Sequence, residues 1–293
     1  VVDSLIPEYG GNLFNLYGYE DRIKINIADV RDEFSMARLI QDRDYLFNLA
    51  GQTSHMDSMH NPYVDLDINC RAQLFILEAC RKHNPRIKVI YASTRQIYGK
   101  PKSLPVNEEH ILRPTDVNGI NKMAGELFHI LYNDVYNIKS CALRLTNTYG
   151  PRMRIKDARQ TFLGIWIKCL IENKPIDVWG DGEQVRDFNY VEDVITAMLS
   201  SALREETNGQ VYNLGSPEHI NLKDLAMMMI RIHGRGNFQF IPFPKDHKSI
   251  DIGDYYSNYD KINRAINWSP TTSLEEGLSK TIEYYNQHFG HYQ

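Results

Sequence analysis

Cysteine is scarce in this chain of 293 residues, and the four present, Cys70, Cys80, Cys141 and Cys169, stand far apart with no C-x-x-C pair. That spacing argues against a zinc site and a disulfide framework. It suits a reducing, cytoplasmic setting in which all four serve as small core hydrophobes. No run approaches ~18 consecutive apolar residues, so no helix is expected to span a bilayer. A basic excess is also missing: 33 Lys and Arg stand against 37 Asp and Glu, a formal charge of −4. Neither a nucleic-acid backbone nor an anionic membrane surface is therefore an expected partner. The ten histidines show no H-x-x-x-H spacing and no serine sits in G-x-S-x-G, so neither a metal site nor a hydrolase triad is expected. The chain opens on Val1-Val2-Asp3, without an initiator Met, a basic n-region or an apolar leader, and reads as starting in mid-domain.

What is present is alternation. Ile23–Ile27, Tyr45–Leu49, Ile87–Ala92 and Ser140–Leu145 are short, apolar and bounded by polar or turn residues, which predicts buried strands. Between them lie helical patterns. Tyr63 to Lys82 carries Val64, Ile68, Ala72, Phe75 and Ala79, and Lys122 to Tyr136 carries Leu127, Ile130, Leu131 and Val135, each set expected to pack on the sheet. Strand and helix in turn predict βαβ units and a parallel sheet. From about Pro151 the pattern loosens into a smaller lobe with Pro and Gly loops. There, Asn221 to Gly234 predicts a helix with a Gly stop and Met227, Met228 and Met229 as core filler, and Ser273-Leu274-Glu275-Glu276 is a capping box opening a helix to about His288.

Five segments follow one another in order: Ala28-Asp29-Val30-Arg31-Asp32, then Leu49-Ala50-Gly51-Gln52, then Tyr91-Ala92-Ser93-Thr94-Arg95-Gln96-Ile97-Tyr98-Gly99, then Leu143-Arg144-Leu145-Thr146-Asn147-Thr148-Tyr149-Gly150-Pro151-Arg152, then Gln184-Val185-Arg186-Asp187-Phe188 and on to Val194. This ordered set resembles the extended short-chain dehydrogenase/reductase family, the NAD-dependent nucleotide-sugar epimerases and dehydratases typified by UDP-galactose 4-epimerase, across essentially the whole chain.

The resemblance implies a doubly wound α/β fold of the Rossmann type, with residues 1–150 as the NAD-binding domain and 151–293 mainly as the substrate lobe, 187–215 returning to the first domain. In the family the first strand and a G-x-x-G-x-x-G turn hold the cofactor pyrophosphate. This chain has neither; its only early glycine pair, Gly10-Gly11, comes after Asp3. The expectation is that about 30 residues, one strand and one helix, are missing, leaving a gap in the middle of the sheet and weak NAD binding. The implied NAD contacts are Asp3, whose carboxylate would accept from the adenosine ribose, with Asp29, Val30, Leu49, Ala50, Gly51, Asn69 and Lys122.

The implied chemistry moves a hydride between a sugar carbon and the nicotinamide, with a Y-x-x-x-K tyrosine as proton acceptor helped by a Ser or Thr hydroxyl. Thr94 fills the hydroxyl position and Lys122 the lysine. Asn118 stands four residues before Lys122, where the tyrosine would be, and a carboxamide does not exchange protons near neutrality. Tyr98, His110 and Lys122 are the candidate substitutes. For a nucleotide-diphosphate sugar the resemblance implies Ser54, Thr94, Asn147 and Arg186 as contacts. Asp251 replaces the family's second phosphate-binding arginine, for which Arg152, Arg154 or Arg159 could compensate. Arg95-Gln96 stand where dehydratases carry Asp-Glu, which argues against 4,6-dehydration. The expected function is a UDP-sugar 4-epimerase-like enzyme working through a keto sugar, the alternative a catalytically silent binding protein of the same fold. A homodimer through a four-helix interface, built from the helices near Tyr63 and Lys122, is also implied.

Overall fold

The computed structural model describes residues 1–159 and 161–293. β1 (Val2–Asp3) and β2 (Asn26–Ile27) pair in parallel as a two-stranded sheet. α1 (Glu33–Leu39) begins where the Asp32 carboxylate accepts the Phe34 N–H, and leads to β3 (Tyr45–Asn48). α2 (His55–His60), α3 (Pro62–Leu66), a π turn over Asp67–Arg71 and α4 (Ala72–His83) follow. Next come β4 (Lys88–Thr94), α5 (Val117–Tyr136), β5 (Ser140–Leu145) and β6 (Asn147–Tyr149). The remainder is α6 (Phe162–Ile171), β7 (Ile176–Trp179), β8 (Val185–Tyr190), α7 (Val191–Leu203) and β9 (Gln210–Asn213), then β10 (His219–Asn221), α8 (Leu222–His233) and β11 (Phe238–Ile241), and finally α9 (Lys245–Ile250), α10 (Asp260–Ile266) and α11 (Leu274–His288).

The main sheet is all parallel, in the order β3-β4-β5-β9. Alternate residues of β4 feed opposite faces, as the pleat requires. Val89 packs with Ile76, Leu77 and Cys80 of α4, and Ile90 with Val194, Ala197 and Met198 of α7. Helices thus cover both faces, the doubly wound arrangement expected of βαβ units. A third core, around Leu163, Trp166, Leu225, Met229, Leu278 and Ile282, joins α6, α8 and α11 to β7 and β8. Both cap expectations in this lobe hold: Gly234 ends α8 in the left-handed region at φ 79°, and the Ser273 hydroxyl accepts the Glu276 N–H at 3.2 Å.

Several expectations need correction. Ile23–Ile27 narrows to the two residues of β2, with Ile27 70% exposed, and β3 shows Tyr45 and Phe47 to solvent. The reason is pairing: β3 bonds only β4, β1 bonds only β2, and among the described residues no strand joins the two sheets. Met229 is core, but Met227 is exposed.

The largest correction concerns α5. It starts at Val117, because Asp116 caps it, and of the positions expected to face the sheet Leu127, Leu131 and Val135 are exposed, as is Ile120, while Ile130 is half-buried; Phe128 packs on the core beside α4. The face against the sheet carries Asn118, Asn121, Lys122, Glu126, His129 and Tyr132. Periodicity located the helix but inverted its inside and outside, since buried polar side chains with partners satisfy a core as well as apolar ones do.

Those partners are specific. Arg144 of β5 donates to both Glu126 oxygens, at 2.6 and 3.0 Å, and to the Tyr98 hydroxyl at 2.6 Å, while the Ser93 hydroxyl also donates to Glu126. Removing one partner leaves the other charge buried and alone. Glu126→Ala should lose about 3–5 kcal/mol in urea unfolding, and Glu126→Leu with Arg144→Met should recover most of that loss; equal losses in both variants would refute the assignment.

Candidate functional site

In a parallel sheet the loops leaving the C-terminal strand ends meet along one edge. Here β3 leads into Leu49, Ala50, Gly51 and Gln52, β4 ends at Thr94, and β5 passes through Thr146 to Asn147. Thr94 is half-buried. Its hydroxyl oxygen accepts the Gln96 N–H at 3.2 Å to start a short 3-10 turn, which leaves the hydroxyl proton free to donate.

The first turns of α5 lie beside these loops. Asn118 Nδ2 donates to the Gln52 carbonyl at 2.8 Å and to Asp65 Oδ2 at 2.9 Å, and Asn121 Nδ2 donates to Asp65 Oδ1 at 2.8 Å. Asp65 is fully buried, so the two carboxamides supply what its carboxylate needs. Asn118 is thereby a satisfied structural amide tying α5 to α3 and to the loop after β3. One turn on, Lys122 Nζ donates to the Ala92 carbonyl at 2.5 Å and sits 4.5 Å from the centre of the Tyr91 ring. Burial lowers the lysine to about 8, against the opposing pull of Asp65 and Glu126.

Three groups around Gly51 are of a kind that awaits a ligand. The side-chain carbonyls of Gln52 and Asn69 are buried and without a partner, whereas their N–H ends are used, Gln52 on the Ser54 carbonyl and Asn69 on the Gln52 carbonyl. A Cβ placed on Gly51 would stand 3.0 Å from Asn69 Oδ1 and 3.6 Å from Lys122 Nζ, so glycine keeps that space open. Two orphaned acceptors beside an amine fit the hydroxyls of a ribose. The residues present therefore fit the nicotinamide-ribose half of a dinucleotide, while the chain has no glycine-rich turn for a pyrophosphate.

The other expected contacts are dispersed or already engaged. Asp3, at the exposed end of β1, accepts the Leu5 N–H at 2.7 Å. Asp29 is paired in a fork with Arg31, which holds its carboxyl below the usual range, and Val30 packs beside it against the core under α1. Leu49 is exposed, and the Ser54 hydroxyl caps α2 by accepting the Asp57 N–H at 3.1 Å. Tyr98 and His110 have their polar atoms engaged within the protein. The Tyr98 hydroxyl is buried between Asn213 and Arg144, and burial pushes it up to about 12, whereas both ring nitrogens of His110 are used on loop backbone at Lys102 and Ile111. Of the three candidates only Lys122 faces the loops described.

The second cluster is cationic. Asn147 donates to the Asp187 carbonyl at 2.9 Å and accepts from Arg95 Nη1 at 3.1 Å. Arg186 spends its guanidinium on the Val185 and Gly253 carbonyls, Gln184 and Asp251, the last at 3.4 Å. Burial lowers it to about 10, and Arg95 nearby pushes the same way. Asp251 therefore neutralises Arg186 internally. Arg152, Arg154 and Arg159 are engaged elsewhere, Arg152 with the Asn15 carbonyl, Arg154 with Asp157 and the Pro7 carbonyl, and Arg159 with Asp57 and the Glu8 carbonyl. Arg95, Gln52 and Asp65 were not expected contacts: Gln52 and Arg95 lie in the ordered segments, Arg95 read only against dehydration, and no local spacing marks Asp65. His55 is a further such residue, its Nδ1 2.9 Å from Asp116 Oδ2 but not aligned as a hydrogen bond.

Comparison with known proteins extends this geometry. A profile of the family described as NAD dependent epimerase/dehydratase matches residues 9–215. A Methanocaldococcus jannaschii protein assigned as a UDP-glucose 4-epimerase is 30% identical over 261 residues, covering 88% of this chain and 82% of that protein. The structure of UDP-glucose 4-epimerase with UDP-glucose from Thermotoga maritima is similar at a TM-score of 0.88 and 29% identity, covering 99% of this chain and 91% of the other. UDP-glucuronic acid 4-epimerase from Bacillus cereus, in complex with UDP-glucuronic acid and NAD, has a TM-score of 0.85 at 27% identity, covering 98% and 90%.

The structural role of Asn118 is measurable without a substrate. Asn118→Leu removes donors from a buried carboxylate and a buried carbonyl, and should lower stability by about 1–3 kcal/mol in denaturant unfolding; an unchanged midpoint would show that the amide is not holding Asp65.

Proposed function

The chain belongs to the NAD dependent epimerase/dehydratase family, and on that premise we propose that it is a nucleotide-sugar epimerase of the UDP-sugar 4-epimerase kind, with Lys122 as the proton acceptor in place of the absent tyrosine. The observation that carries this reading is the meeting of Thr94, a desolvated Lys122 and the orphaned Gln52 and Asn69 carbonyls at one strand edge. NAD, the cofactor of this family, supplies reversible hydride uptake from the sugar carbon when bound. Gly51, Gln52, Asn69 and Lys122 would hold its nicotinamide ribose. Thr94 donates to the reacting sugar hydroxyl and orients it. Lys122 in its neutral form takes the hydroxyl proton as the carbonyl forms, and returns it when the carbonyl is reduced from the other face, so the sugar is inverted with no net redox change. Asn147 and Arg186 frame the diphosphate end. Residues 1–150 form the cofactor half and 151–293 the substrate lobe, with 187–215 returning.

The outward stripe Ile120, Leu127, Leu131 and Val135 on α5, with Tyr63 and Leu66 of α3, supports a homodimer through these helices. Among the described residues no helix is long and apolar enough to cross a membrane; the free cysteines support a cytoplasmic setting. A second reading, a nucleotide-sugar binding protein without catalysis, is favoured by Asn118 and Asp251.

The deciding measurement is absorbance of reduced cofactor, with sugar inversion followed by NMR, on UDP-glucose, UDP-glucuronate and their N-acetyl relatives. Turnover should rise as pH increases through about 8, where Lys122 loses its proton. Lys122→Met should remove that rise and lower kcat by roughly 10²–10⁴-fold. Binding without reduced cofactor at any pH would leave the second reading standing. For the interface, Leu127→Glu with Leu131→Glu should halve the mass seen by light scattering; a monomeric wild type would refute the dimer.

A further inference from the structure

Two arginines in this molecule, the buried Arg144 and the half-buried Arg95, are treated in opposite ways. Arg144 has a carboxylate fork and a phenol. Arg95 has one neutral hydrogen bond, to Asn147 Oδ1, and its Nε is sealed from solvent with no partner. Among the described residues no carboxylate oxygen pairs with Arg95 as an ion pair. The nearest acids are engaged elsewhere, Asp187 by the Thr146 hydroxyl and the Ser257 N–H, Asp251 by Gln184, the Gly253 N–H and Arg186. The Tyr255 ring, 5.5 Å from the guanidinium carbon, braces the group from one side. Next door, Arg186 has given its donors to backbone carbonyls. Burial lowers Arg95 against the opposing pull of Asp187 and Asp251, and burial together with Arg95 lowers Arg186, an arrangement that an incoming anion would relieve.

From this geometry we infer that Arg95, adjacent in sequence to Thr94, is the specificity-determining contact for a pair of anionic oxygens on the substrate. The inference rests on the nucleotide-sugar reading above. A planar fork with unused donors matches two oxygens of one phosphoryl or carboxylate group. The two sources of such a group are the diphosphate and a carboxylate on the sugar ring. Contact with the diphosphate would transfer to Arg95 the duty that Arg186 and Asp251 cancel between them. Contact with a ring carboxylate would select a uronate.

Calorimetric titration of the purified protein with UDP, UDP-glucose and UDP-glucuronate separates these outcomes. Arg95→Gln should weaken binding by about tenfold or more, the size of one charge-assisted bidentate contact. An equal loss for all three ligands identifies the diphosphate, and a loss confined to UDP-glucuronate identifies the carboxylate. Unchanged affinity for all three overturns the inference. Arg95→Lys keeps the charge and removes the fork; it should lose several-fold, and it decides the matter in the same way if the glutamine variant does not fold. Wild-type protein that binds none of the three would overturn the nucleotide-sugar reading itself, an outcome distinct from a wild type that binds and a variant that binds equally.

Discussion

Burial of a polar helix face is the constraint on which the rest of this molecule depends. The inner side of α5 cannot be placed against a sheet unless every group on it finds a partner, because an unmatched amide or charge in that position costs more than an apolar contact returns. Glu126 finds Arg144 and Ser93, joining α5 to β5 and β4. Asn118 and Asn121 find Asp65, joining it to α3. Lys122 finds only the Ala92 carbonyl and the Tyr91 ring, so it remains desolvated and its proton is loosened. The same orientation leaves Leu127, Leu131 and Val135 outside. One choice of helix rotation thus sets the stability of the sheet, the chemistry of the lysine and the surface open to a second copy.

The loss of the tyrosine is easier to understand in that setting. A phenol at position 118 would sit where an amide now bonds Asp65 and the Gln52 carbonyl. The position is no vacant slot in an otherwise ordinary site; it belongs to a network that fixes the loop after β3 and keeps the Gln52 and Asn69 carbonyls in place. In the proposed reading proton exchange falls to the next polar group along the same face, Lys122, which burial lowers to about 8. At the other end of the site, Asp251 and Arg186 form an internal pair, and Arg95 is left with an unfilled fork.

The order of strands and helices was legible from the residues, because short apolar runs between turn residues have few alternatives to a parallel α/β sheet. The caps at Ser273 and Gly234 were legible for the same local reason, being written in one or two residues. Thr94 and Asn147 were singled out by their place in ordered segments, and Lys122 by its spacing from position 118. The exposure of Tyr45 and Phe47 on β3 was not legible, because it follows from β3 pairing with β4 alone.

Sequence alone determined the fold class, the family and the chemical types available at the site, since these follow from periodicity and from residues at fixed spacing. Tertiary structure decided which side of α5 is inside, that Tyr98 and His110 are occupied, that Asp251 answers Arg186, and that Arg95 is left unanswered. Apart from His110, which neighbouring backbone holds, these outcomes turn on contacts between residues far apart in the chain, such as Asn118 with Asp65, Tyr98 with Asn213 and Arg186 with Asp251. A local pattern records which groups need partners; only the folded chain shows which of them have found one.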